Sequence, residues 1–183
     1  MRSHENEPIA VRRDVQAVAI PAGVEVTLKV GQVGYITQAL GGSFTVYVDG
    51  NLFRIPGREA DAIGMTVAQP PEVPPGASAE DIRNVIWQQL RTCYDPEIPL
   101  NIVDLGLVYA CEVHENADGT RTVEVRMTLT APGCGMGEVL VQDVRDKIQM
   151  VPTVLRADVE LVFDPPWNQT MMSEEARLQT GMM

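Results

Sequence analysis

The chain has 183 residues, of which 45% are hydrophobic, and a formal net charge of -11. That length and apolar content suit one medium domain or two small ones with a real core, while the acidic balance argues against nonspecific binding to nucleic acid or anionic membranes, which needs clustered Lys and Arg. The opening Met1-Arg2-Ser3-His4-Glu5-Asn6-Glu7 lacks an apolar signal core and no later segment approaches the roughly 20 apolar residues of a membrane span, so the expected location is cytoplasmic.

Taken in chain order, residues 24–30, 35–40, 43–49 and 51–55 are short β-branched or alternating runs, punctuated by Gly31, Gly34, Gly41-Gly42 and Asp49-Gly50-Asn51. They predict a small N-terminal all-β domain of hairpins over residues 1–68, barrel-like in form, with a turn of helix at 58–62. Gln69-Pro70-Pro71-Glu72-Val73-Pro74-Pro75-Gly76-Ala77 can continue neither a helix nor a central strand, and reads as a semi-rigid linker over 69–77.

A second domain is expected over 78–183. Ser78-Ala79-Glu80-Asp81 has the form of a capping box and opens a helix with Ile82, Val85, Ile86 and Leu90 on one face, which ends before Pro96. Strands follow at 107–113 and 122–130, joined by a turn through Asn116-Ala117-Asp118-Gly119, and Val123, Val125, Met127 and Leu129 alternate along the second. A helix over 137–149 gathers Leu140, Val141, Val144 and Ile148, and Ala157, Val159, Leu161 and Phe163 alternate along a last strand. The order helix, strand, strand, helix, strand gives an α+β class, with helices covering a small sheet as a sandwich.

The chemistry concentrates in three blocks. In Thr128-Leu129-Thr130-Ala131-Pro132-Gly133-Cys134-Gly135-Met136-Gly137 a strand passes through a Gly/Pro turn into a helix with a cysteine at the junction. The unpaired N–H groups and positive dipole end of a helix start stabilise a thiolate, the nucleophilic and metal-binding form of cysteine. The ordinary alternative is a small residue filling space; glycines on both sides remove the packing neighbours that such a residue has. In Tyr94-Asp95-Pro96-Glu97-Ile98-Pro99-Leu100-Asn101-Ile102-Val103-Asp104-Leu105-Gly106-Leu107, prolines restrain a loop that carries Asp95, Glu97 and Asp104. Those carboxylates either assist a nearby thiolate in binding iron or moving a proton, or, for Asp95 and Asp104, cap turns through backbone N–H groups. The tail, Phe163-Asp164-Pro165-Pro166-Trp167-Asn168-Gln169-Thr170-Met171-Met172, followed by an N-cap at Ser173, is either a docking surface for a client or an anchor packed on the sheet.

Cys93, Cys111 and Cys134 are odd in number and widely spaced, which fits neither a disulfide framework nor a zinc ribbon and implies a reducing compartment. Cys93 and Cys111 read as packing residues and His114 as solvent-exposed. With His4 as the other histidine, one chain has too few soft ligands to enclose a metal cluster, so a second chain or another thiol is needed.

Together the blocks Asp95-Pro96-Glu97-Ile98-Pro99 with Asp104-Leu105-Gly106-Leu107-Val108, Thr128-Leu129-Thr130-Ala131-Pro132-Gly133-Cys134, and Asp164-Pro165-Pro166-Trp167 with Met172-Ser173-Glu174-Glu175-Ala176-Arg177 resemble the iron-sulfur cluster assembly domains of cytosolic iron-sulfur targeting factors and bacterial SufT proteins. Arg12-Arg13-Asp14, Ile20-Pro21-Ala22-Gly23 and Tyr35-Ile36-Thr37-Gln38-Ala39-Leu40-Gly41-Gly42-Ser43-Phe44-Thr45-Val46 look like a SufT N-terminal extension. The resemblance implies a non-enzymatic accessory protein for iron-sulfur protein maturation, with Cys134 as the reactive cysteine and metal ligand and Asp95 and Glu97 as the acidic motif beside it. It implies a transient iron-sulfur cluster or iron as cargo, with client proteins and the assembly machinery as partners; one such cysteine per chain points to a cluster bridged by a homodimer or shared with a client. Three alternatives stand beside it: an adaptor that joins clients to the assembly machinery without touching metal, a cysteine nucleophile in acyl or thiol transfer, for which a well-placed histidine is missing, and an assembly factor for a phenylacetyl-CoA oxygenase-like complex, whose relatives carry a cysteine-rich C-terminal segment.

Overall fold

Alternating apolar and polar residues build two separate sheets. The computed structural model describes residues 4–95, 98–132 and 135–181, and the chain divides into two units, Met1–Gln69 and Pro70–Met183. The first unit is a six-stranded antiparallel sheet of β1 (Pro8–Ala10), β2 (Val15–Ile20), β3 (Val24–Leu28), β4 (Val33–Leu40), β5 (Ser43–Val48) and β6 (Asn51–Ile55), in the order β1-β4-β5-β6-β2-β3. Inward alternation places Ile36, Val46, Val48 and Ile55 out of contact with solvent. The ladder is open among the described residues, with β1 and β3 at its edges, where a barrel-like form was expected. Strands β1 and β2 carry no strong β signal: β1 is three residues long, and β2 buries the small Ala17 beside Val15. The helical turn near residues 58–62 is a 3-10 helix, Gly57–Ile63, tied to the strand side by Arg13, which reaches Asp61 and Glu59 at 2.7 Å each.

The second unit is the expected α+β arrangement. Helix α1 (Ala79–Leu90) starts on the capping box: the Ser78 hydroxyl accepts the Asp81 N–H at 3.1 Å, and the Asp81 carboxylate accepts the Ser78 N–H at 2.8 Å. Strands β7 (Val108–Glu115) and β8 (Arg121–Met127) form an antiparallel hairpin. Helix α2 (Gly137–Gln149) then crosses over to β9 (Val154–Leu161), which pairs parallel with β8, and α3 (Glu174–Thr180) follows. Both α1 and α2 turn apolar stripes, Ile82, Val85, Ile86 and Leu90 on one and Leu140, Val144 and Ile148 on the other, into a core with Val123, Val125 and Met127 of β8. Burial of such side chains stabilises by about 1.5–3 kcal/mol each. The last two strands stop short of expectation: β8 ends at Met127 rather than at residue 130, and Phe163 lies beyond β9, 47% exposed. None of the helices among the described residues is long and apolar enough to cross a membrane.

Candidate functional site

The topology gathers the three blocks at one end of the β7-β8-β9 sheet. Strand β7 begins there, because Val108 stands opposite Met127, the last residue of β8, and Met127 stands opposite Leu161, the last residue of β9. The acidic loop therefore enters this end, and the two segments that lead to the cysteine and to the tail leave from it. Backbone bonds stitch them together: Thr128 N–H donates to the Leu107 carbonyl at 2.9 Å, and Val162 N–H donates to the Met127 carbonyl at 2.8 Å.

The loop is held by its own polar side chains. Asp95 is 6% exposed, and its Oδ1 accepts the Ile98 N–H at 2.9 Å, while its own N–H donates to the Leu100 carbonyl at 3.1 Å. The turn-capping role weighed for Asp95 is thus present. At Asp104 the cap is supplied by another residue: Asn101 Oδ1 accepts the N–H groups of Val103 and Asp104 at 3.1 and 2.9 Å, and Asn101 Nδ2 donates to Asp104 Oδ2 at 2.6 Å. Asn101 was not singled out in the sequence, although Asn followed two and three residues later by turn amides is an Asx-turn signal.

The tail closes over this loop as an anchor. Trp167 Nε1 donates to the Leu105 carbonyl at 2.7 Å, Ser173 N–H donates to the Asp104 carbonyl at 2.8 Å, and Met172 and Ala176 are buried in the core. Tyr109, where the β7-β8 register shifts between Val108 and Ala110, donates its hydroxyl to the Pro165 carbonyl at 2.8 Å and approaches Met171 Sδ at 3.6 Å. Gly106, at φ +73°, passes under Met171: a Cβ there would lie 2.1 Å from the Met171 carbonyl oxygen. Of the two readings of the tail, Trp167 and Met172 make the contacts of an anchor; Phe163 and Leu178 are the tail's exposed large apolar side chains among the described residues.

Glu97 and Cys134 lie outside the described residues. The chain on either side of Cys134 is described. Leu129 and Met136 are buried, and Gly137 begins α2 so close to Leu129 that a Cβ would meet its Cδ1 at 2.8 Å. Ser78 and Ser173 cap α1 and α3 with hydroxyl oxygens, whereas Met136 at the N-cap of α2 supplies no side-chain acceptor.

The other cysteines have no such setting. Cys93 is fully buried with its Sγ 3.7 Å from the Gln89 carbonyl, and Cys111 is half-buried beside the core, where burial pushes its thiol up to about 11. His114 pairs in register with Thr122 near the hairpin turn, while residues 128–132 depart from the far end of β8. Six residues of strand separate Thr122 from Thr128, about 20 Å at ~3.3 Å per residue, so His114 and Thr128 stand at opposite ends of the hairpin.

Residues 83–161 match the family described as iron-sulfur cluster assembly protein. The Fe-S protein maturation auxiliary factor of Porphyromonas gingivalis is 49% identical over 98 residues, covering 54% of this chain and 90% of that protein. The Fe-S protein maturation auxiliary factor SufT of Staphylococcus aureus is 39% identical over 88 residues, covering 48% of this chain and 96% of that protein. The Fe-S protein maturation auxiliary factor YitW of Bacillus subtilis is 34% identical over 103 residues, covering 56% of this chain and 97% of that protein. Each relative is matched over nearly its whole length by about half of this chain, so the remaining half has no counterpart in them.

Proposed function

The chain belongs to the iron-sulfur cluster assembly protein family, and on that premise we propose that it is an accessory factor in iron-sulfur protein maturation that carries or hands over iron or a labile cluster through Cys134. Residues 78–183 are the assembly domain in this reading. The observation that carries it is the convergence of the acidic loop, the segment entering Cys134 and the tail at one end of the sheet, stitched by the Thr128–Leu107, Ser173–Asp104 and Trp167–Leu105 hydrogen bonds.

Within this reading Cys134 is the metal ligand, and the α2 start, with no side-chain cap, stabilises its thiolate. Asp95 and Glu97 support the cargo. Asp95 does so chiefly by fixing the loop, since its carboxylate already accepts a backbone N–H. Cys134 as the one thiol ligand calls for cargo shared with a second copy or with a client protein. The partners are accordingly iron-sulfur client proteins and the assembly machinery, in a reducing, cytoplasmic setting, which suits Cys93 and Cys111 standing outside any disulfide. Auxiliary action rather than catalysis agrees with the names of the relatives.

Anaerobic reconstitution with iron and sulfide, read by visible absorbance and metal content against Cys134→Ser, tests the reading. Colour and bound iron that disappear with the substitution support a carrier. Absence of bound metal in both forms removes the carrier role and leaves an adaptor that joins clients to the machinery.

A further inference from the structure

The open face of the β7-β8 hairpin carries a group of side chains that the site at the sheet end does not use. Register places Glu112 directly opposite Glu124, and alternation turns Val113, Val123 and Val125 to the core, so Glu112, His114 and Glu124 share the solvent face. His114 Nε2 lies 3.0 Å from Glu124 Oε2 and 3.7 Å from Glu112 Oε2, and one ligand atom from each of the three residues falls within 4.8 Å of the others. Two carboxylates directly opposed across an antiparallel pair repel, in a chain whose formal charge is already -11. Arginines on these strands are engaged elsewhere: Arg121 with Glu115 at 2.8 Å, Arg126 with Glu160 at 3.6 Å and Arg156 with Asp158 at 2.8 Å.

We propose that Glu112, His114 and Glu124 form a surface site for a divalent first-row metal ion of the Zn²⁺ or Fe²⁺ kind, separate from Cys134. Ligand atoms about 2.1 Å from such an ion, at angles between octahedral and tetrahedral, stand roughly 3.0–3.4 Å from one another. The 3.0 Å separation falls in that range and the 3.7 Å one lies just beyond it, so small rotations of the exposed side chains close the remaining edges. One imidazole and two carboxylates suit these borderline ions better than the all-oxygen sets that Ca²⁺ and Mg²⁺ prefer. Three protein ligands leave positions for water, so the ion exchanges rather than being locked in. The ligands sit on paired strands, which hold them in register without any loop closing over them. This inference does not rest on the carrier reading, and its test removes the Cys134 thiol at the outset.

The full chain carrying Cys134→Ser is dialysed to equilibrium against Zn²⁺ and its metal content measured, alone and combined with His114→Ala or with Glu112→Gln and Glu124→Gln together. About one Zn²⁺ per chain is expected at this site, with affinity falling about tenfold or more in both combinations. The substituted side chains face solvent, and thermal melts by circular dichroism verify folding. In the protein with His114 intact, Zn²⁺ should shift the His114 ring resonances in NMR spectra, and Co²⁺ should give a spectrum without a thiolate charge-transfer band. Unchanged Zn²⁺ affinity in the His114→Ala combination, unmoved His114 resonances, or a Co²⁺ thiolate band pointing to Cys93 or Cys111 would overturn the proposal.

Discussion

Gly106 is the residue on which closure of the tail turns. Its positive φ favours glycine, and the Met171 carbonyl occupies the space where a side chain would begin. Gly106→Ala is expected to cost about 1–3 kcal/mol from backbone strain alone, and more if Met171 must move. Urea denaturation measures the loss; stability equal to the unsubstituted chain would mean that the tail does not press on the loop. Asp81 offers a test through pH. The Ser78 N–H and then its hydroxyl hold the Asp81 carboxyl below its ordinary value, so its contribution to folding is present above that value and fades as pH falls through the lowered one. Asp81→Asn should therefore lower the melting temperature at pH 7 and change it little near pH 3. An equal loss at both pH values would locate the effect elsewhere than in the charged cap.

At the scale of elements, α1 and α2 are joined by more than apolar stripes. Lys147 Nζ donates to the Thr92 carbonyl just past α1 at 2.6 Å and to Asp143 at 3.1 Å, and Gln89 Nε2 donates to the Lys147 carbonyl at 3.0 Å. Lys147 and Asp143 are 12% and 10% exposed, too buried for water to replace the lost bonds fully. Lys147→Met is expected to destabilise by about 1–3 kcal/mol; a thermal melt that does not move would show the link to be incidental. The helices of this layer were legible because their punctuation is local: Ser78 with Asp81, and Ser173 before two glutamates, state a helix start within four residues. Strands β1 and β2 were not, since β1 is three residues long and β2 fills its inner face partly with alanine, whose β preference is low. The site was legible as three blocks but not as an assembly. Nothing near Trp167 in the chain announces that its ring N–H will meet the carbonyl of Leu105, and Asn101 was overshadowed by the acidic residues around it.

At the scale of the whole chain, each unit has its own core. The buried cluster of the second unit runs from Ile82 to Ala176, with Val73 and Ala77 packed against it, and that of the first from Ile9 to Ile63. Among the described residues, each cluster is built from side chains of its own unit. Residues 70–183 produced alone are therefore expected to fold, with a cooperative melt and the same capacity for iron and sulfide as the full chain. A fragment without a melting transition would sink this expectation, and a folded fragment that binds no iron when the full chain does would give the first unit a part in holding cargo.

The anchoring of the tail also fixes a sequence of events in time. The end of the sheet where the three blocks meet is complete only when Trp167 and Ser173 have reached the carbonyls of Leu105 and Asp104. During synthesis the acidic loop leaves the ribosome well before the residues that close over it. A nascent chain thus presents that loop uncovered at first, and acquires the finished arrangement only as α3 emerges.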